Sequence, residues 1–191
     1  MTDPIHVALI YGSTREGRFC DVVAEWAAAE ISGHTDFTLQ LVDPARLDLP
    51  TRHGQRNAAL HALEQQLAEA DAFIVVTPEY NHGYPAALKF VIDSFKAPWR
   101  AKPFAFVSYG GISGGLRAVE QLRLVVAELH AVAIRDQVSF ANARAAFDAG
   151  RRPLDPDAPR LAMATMLRHL HWWATALRAA RAASTYGEVA A

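Results

Sequence analysis

The chain has 191 residues, 51% hydrophobic and 20% charged, which predicts a single domain over 1–191 and excludes a disordered or low-complexity chain. Nineteen basic residues against twenty acidic ones leave a net charge of -1, so neither a nucleic-acid nor an anionic-membrane partner is expected. The single cysteine, Cys20, excludes an internal disulfide framework and a multi-cysteine zinc site. No apolar run nears the ~20 residues that cross a bilayer, and no signal-peptide pattern opens the chain. A cytoplasmic protein without membrane insertion is the expectation.

Strand-like and helix-like segments alternate throughout. An apolar run over 5–10 ends in the turn signal Tyr11-Gly12-Ser13. Phe19, Val22, Val23, Trp26, Ala27 and Ile31 then recur at helical spacing over 18–31. A strand over 37–42 alternates Phe37, Leu39 and Leu41 with polar neighbours; after a polar loop, Leu60, Leu63 and Leu67 mark a second helix. The almost wholly apolar run 72–77 predicts a strand buried on both faces. Pro85 opens the next helix, over 85–97, as the favoured residue at a first helical position. Strands at 103–108 and 132–140 flank a helix over 116–130, with a polar break expected at Arg135-Asp136. A closing helix over 159–183 completes the core, 5–183, and leaves a polar tail, 184–191. Five strands alternating with five helices predict a three-layer α/β domain, a five-stranded parallel sheet with helices on both faces.

In such a fold ligands bind beyond the carboxyl ends of the strands, which directs attention to the loops after strands one, three and four. The first, Gly12 to Arg18, gathers hydroxyls and two guanidinium groups where helix N-terminal amides are unpaired. Those groups suit a phosphate, and equally a solvated turn capped by Ser13 or Thr14. The second, Thr77 to Pro85, offers amides, Asn81 and two tyrosines to the edge of a flat heterocycle, or forms an aromatic turn packed on its own helix. No nucleophile or His–carboxylate arrangement is visible beside Glu79, so acid–base catalysis by it is not expected. The third, Ser108 to Gly115, carries four glycines that permit close approach of backbone to a ligand, or make a mobile turn.

At these loops the sequence resembles the NADPH-dependent FMN reductase family. Gly12-Ser13-x-Arg15-x-x-Arg18 is similar to that family's phosphate loop, Thr77-Pro78-Glu79-Tyr80-Asn81-x-Gly83-Tyr84-Pro85-x-x-Leu88-Lys89 to its flavin-edge signature, and Ser108-x-Gly110-Gly111-x-x-Gly114-Gly115 to its third loop. The resemblance implies a flavodoxin-like fold. It also implies an FMN phosphate held by Ser13, Arg15 and Arg18 with the adjoining Phe19 and Cys20. Pro78, Glu79, Tyr80, Asn81 and Gly83 would line the isoalloxazine, and Ser108, Gly110 and Gly111 the other edge. Arg18, Cys20 and Phe90 stand where the family often has Ser, Asn and Asn.

The implied activity is transfer of electrons from NADPH or NADH through FMN to a small-molecule acceptor: a quinone, azo compound, free flavin or metal ion. No catalytic side chain and no metal ligand is assigned, because the flavin carries the chemistry. The alternatives are a flavodoxin-type electron carrier and a non-catalytic FMN-binding regulatory protein. His169 and His171, two apart on a helix, are poor joint metal ligands; with Trp172 and Trp173 they are expected in the core or an interface. The helix over 85–97 reads as apolar almost all round, which, with the resemblance, predicts a homo-oligomer, a dimer or a dimer of dimers, through that helix.

Overall fold

A computed structural model describes residues 3–187. Strands β1 (Ile5–Tyr11), β2 (Phe37–Val42), β3 (Ala72–Pro78), β4 (Pro103–Tyr109) and β5 (Val132–Phe140) form one all-parallel sheet in the order β2-β1-β3-β4-β5. Every residue of β3 and β4 is buried, as the unbroken apolar runs require of central strands covered on both faces.

The two-residue period of the strands divides the core. Val7, Leu9, Ile74, Val76, Ala105 and Val107 face α1 (Cys20–Ser32) and α6 (Asp157–Ala183). Ala8, Ile10, Phe73, Val75, Phe104 and Phe106 face α2 (Ala58–Glu69), α3 (Ala86–Asp93) and α4 (Leu116–Glu128). Asn57 starts α2, its side chain accepting from the Leu60 amide at 2.9 Å, and Leu60, Leu63 and Leu67 are buried as their spacing requires.

Several local expectations are corrected. Pro85 caps α3 from outside, and that helix stops at Asp93 rather than 97. There the buried Trp99 Nε1 donates to the carbonyls of Ile92 and Phe95 at 3.0 and 3.1 Å, turning the chain into a 3-10 segment. The apolar excess of this helix is absorbed within the chain: Leu88, Val91, Ile92 and Phe95 are buried, and Phe90 stacks on His53 at 4.4 Å. β5 is not broken at Arg135-Asp136; it bulges, so that Phe104 and Phe106 pair with Ala133 and Gln137. Arg123 on α4 catches the freed carbonyls of Ile134 and Arg135 at 2.6 and 2.9 Å. Trp173 packs against the core, but Trp172 stands 63% exposed and His169 lies at the surface, paired with Asp136. A sixth helix, α5 (Ala143–Ala146), follows β5.

At the amino ends of the strands the end of α6 is tied down by charge. Arg178 reaches Asp71 at 3.2 Å and the carbonyls of Asp3 and Pro4, while Arg181 reaches Asp71 at 3.1 Å and the carbonyl of Ala101. The buried Lys102 donates to the carbonyls of Leu67 and Ala68 at the end of α2.

Candidate active-site cleft at the carboxyl ends of the strands

At the opposite end lies a cleft of about 640 Å³, walled by the β1–α1 loop, the β3–α3 and β4–α4 loops and α5. Each wall has a local cause. In the first loop, the amides of Thr14, Glu16 and Gly17 have no acceptor among the described residues, since the chain here is neither strand nor helix. Ser13 is fully buried, and its hydroxyl bonds that of Tyr80 at 2.8 Å. Arg15 lays its guanidinium over the Tyr80 ring, 3.6 Å from the centroid, and has no ion pair among the described residues. Tyr80 thus joins the first loop to the second.

The β3–α3 loop is held by a small internal ladder. The amide of Tyr80 donates to the Gly83 carbonyl at 2.9 Å and that of Gly83 returns the bond at 3.0 Å, with Asn81 and His82 at positive φ between them. Glu79 turns away from acid–base work. Arg117 Nε donates to its carboxylate at 2.5 Å, the Ser113 hydroxyl at 2.8 Å and the Arg117 amide at 3.1 Å. Burial pushes this carboxyl up, but the bonds from Arg117 and Ser113 outweigh it and hold it below its ordinary value.

The β4–α4 loop is closely packed. Gly114 and Gly115 take φ of +61° and +86°, and a Cβ on Gly115 would meet Ser108 Cβ at 2.8 Å. The Gly114 carbonyl accepts from the hydroxyls of Ser108 and Ser139 at 2.8 and 2.9 Å. Backbone bonds from Asn142 to Gly111 and from Ala143 to Gly110, at 2.8 and 3.0 Å, fasten α5 to the same loop.

Of the residues singled out in the sequence, Arg15, Arg18, Phe19, Pro78, Glu79, Tyr80, Gly110 and Gly111 line the cleft. Ser13, Cys20, Asn81, Gly83 and Ser108 do not: Ser13, Cys20, Gly83 and Ser108 brace the loops behind it, and Asn81 stands exposed in the turn. Cys20 is buried against the Val76 carbonyl, and burial pushes its thiol up, which makes it a packing residue. Arg18 lines the cleft with its charge already taken. It bonds both carboxylate oxygens of Asp43 at 2.7 and 2.5 Å, Asp21 at 2.8 Å and the Ser13 carbonyl at 2.5 Å. Those bonds to Asp43 and Asp21 raise its pKa further, and it shapes the loop. Sequence reasoning missed Tyr109, Asn142 and Arg144. The rule that pointed to three strand ends points equally to the end of β5, where Asn142 and Arg144 follow Phe140.

The sequence profile of the NADPH-dependent FMN reductase family matches residues 5–145, the span that builds the sheet and all four walls of the cleft. The chain belongs to that family. FMN is the family's cofactor and NAD(P)H its electron donor. Among curated relatives, an NAD(P)H-dependent FMN reductase of Schizosaccharomyces pombe is 34% identical over 57% of this chain and 60% of its own length, so the match spans less than two thirds of that protein. Another of that name from Pseudomonas aeruginosa is 30% identical over 93% of this chain and 100% of its own. An Escherichia coli quinone reductase is 30% identical over 69% of this chain and 74% of its own. Among solved structures, the flavoenzyme NAD(P)H:(acceptor) oxidoreductase of Paracoccus denitrificans shares the fold with a TM-score of 0.74 at 19% identity, over 90% of this chain and 98% of that one. The shared architecture is flavodoxin-like.

Proposed function

We propose that the chain is an FMN-dependent NAD(P)H oxidoreductase whose acceptor is a quinone. The observation that carries this reading is the cleft itself: loop amides and a guanidinium, Arg15, without partners among the described residues, beside a slot lined by Pro78, Tyr80, Gly110 and Gly111. That donor set fits FMN, with the amides and Arg15 suited to its phosphate and the slot to its ring. Bound there, the flavin supplies the redox chemistry, accepting hydride from a dihydronicotinamide and passing two electrons on.

The side chains bind and orient. Tyr80 fixes the spacing between phosphate loop and ring slot through Ser13. Glu79 holds the wall closed through Arg117 and Ser113, and with its carboxyl held below its ordinary value it is a poor general base at neutral pH. The quinone rests on the activity named for the Escherichia coli relative. An acidic electron carrier fits less well: the net charge is -1, and the cleft presents guanidinium groups. A cytoplasmic setting, where NAD(P)H is supplied, belongs to the same reading. Self-association does too, with the exposed Ile112, Leu116 and Leu124 as apolar surface on the β4–α4 segment; a monomeric mass by light scattering at micromolar concentration removes it.

Anaerobic stopped-flow mixing of FMN-loaded protein with NADPH tests the reading. The flavin absorbance should bleach within seconds and return on adding benzoquinone. Flavin that stays oxidised refutes it.

A further inference from the structure

Four guanidinium groups line or border the cleft, and two of them are spent: Arg18 on Asp43 and Asp21, Arg117 on Glu79. The other two, Arg15 and Arg144, have no carboxylate partner among the described residues, and each is backed only by an aromatic ring. Arg15 lies over Tyr80 at 3.6 Å, Arg144 over Phe19 at 5.5 Å. Both rings line the cleft. An arginine with no internal partner, carried on an aromatic face, keeps its donors for a ligand.

The two differ in depth and support. Arg15 sits over the β1–α1 loop, with unpaired amides around it and the buried Ser13 beneath, so the resident phosphate belongs there. Arg144 stands on α5, exposed at the rim, with its backbone fixed by the bonds from Asn142 and Ala143 to Gly111 and Gly110. FMN carries a single phosphate, whereas a nicotinamide dinucleotide brings two or three more.

On the oxidoreductase reading above, we propose that Arg144 binds a phosphate of the incoming nicotinamide nucleotide and so sets the donor's affinity without holding the flavin. The helix α5 is then a donor-recognition element, in keeping with its place over the rim and its rigid attachment to the β4–α4 loop.

The test uses FMN-loaded wild type, Arg144→Ala and Arg144→Lys. Titration of NADP+, followed by perturbation of the flavin spectrum, should give a dissociation constant about tenfold higher in Arg144→Ala, the scale of one charge-assisted contact, with Arg144→Lys in between. The KM for NADPH should rise by the same factor, while that for the phosphate-free donor N-benzyl-1,4-dihydronicotinamide stays within twofold. FMN affinity of the stripped proteins should also agree within twofold. Unchanged NADP+ binding overturns the proposal. So does an equal loss with the phosphate-free donor, or a loss of FMN affinity, which would give Arg144 to the flavin's own phosphate. Wild-type flavin that NADPH does not reduce refutes the oxidoreductase reading instead, and the NADP+ titration reads independently of it.

Discussion

The two ends of the sheet use the same side chain in opposite ways. At the amino ends, Arg178 and Arg181 close on Asp71 and on backbone carbonyls. At the carboxyl ends, Arg15 and Arg144 rest on rings and meet no carboxylate among the described residues. A guanidinium that meets its carboxylate inside the protein contributes to stability; one left open contributes to binding and costs some stability through uncompensated charge. Sixteen of the nineteen basic residues are arginine, so composition alone cannot separate the two uses.

The largest test falls on the amino end. Asp71→Ala leaves two partly buried guanidinium groups unpaired and should cost about 3 kcal/mol in urea unfolding, with FMN affinity of the folded protein unchanged. If flavin binding falls as much as stability, the two ends are not separate in function. Lys102 gives that end a pH signature. Burial, with Arg181 nearby, lowers its pKa to about 8. Between pH 8 and 10.5 the unfolded chain therefore binds more protons, so stability should rise with pH across that window, by at most about 3 kcal/mol. Lys102→Met should abolish the rise in unfolding curves measured across it.

At the carboxyl end, Arg15→Ala should weaken FMN binding by about 2 kcal/mol in calorimetry while leaving the stability of the flavin-free protein the same or slightly higher. A drop in apoprotein stability would make Arg15 a structural residue like Arg178. Glu79→Gln is the finest test, because this carboxylate is a closed ion pair on the open side. Its pKa is held low, so the stability it contributes is present above the ordinary carboxylate range and is lost as pH falls through the lowered value. The variant should lose about 1 kcal/mol at pH 7 and exchange its Gly110–Gly115 amides faster.

Much of the closed end and the sheet was legible because burial writes a period into the sequence. The runs at 72–77 and 103–108 became β3 and β4, each one residue longer. The three loops were legible as a cleft because strand ends converge. What escaped was set by partners distant in sequence. Arg18 reads as an anion ligand until Asp43, twenty-five residues on, folds against it. Ser108 reads as a ligand contact until the Gly114 carbonyl takes its hydroxyl. Helix α5 has four residues, too few for a helical period to show, and Arg144 was missed with it. The helix over 85–97 reads as apolar almost all round, but its sequence does not tell that Leu88, Val91, Ile92 and Phe95 pack into the chain's own core and that Phe90 stacks on His53.

The glycines of the β4–α4 loop carry a consequence for how this protein varies. Gly111 faces open space within the cleft, whereas Gly114 and Gly115 hold positive φ against packed neighbours. Saturation mutagenesis scored by folded yield should accept side chains at 111 and reject them at 114 and 115. Scored by flavin retention, it should reject all three. One short loop would then record two histories, an inner pair kept by folding and an outer glycine kept only while there is a cofactor to cover.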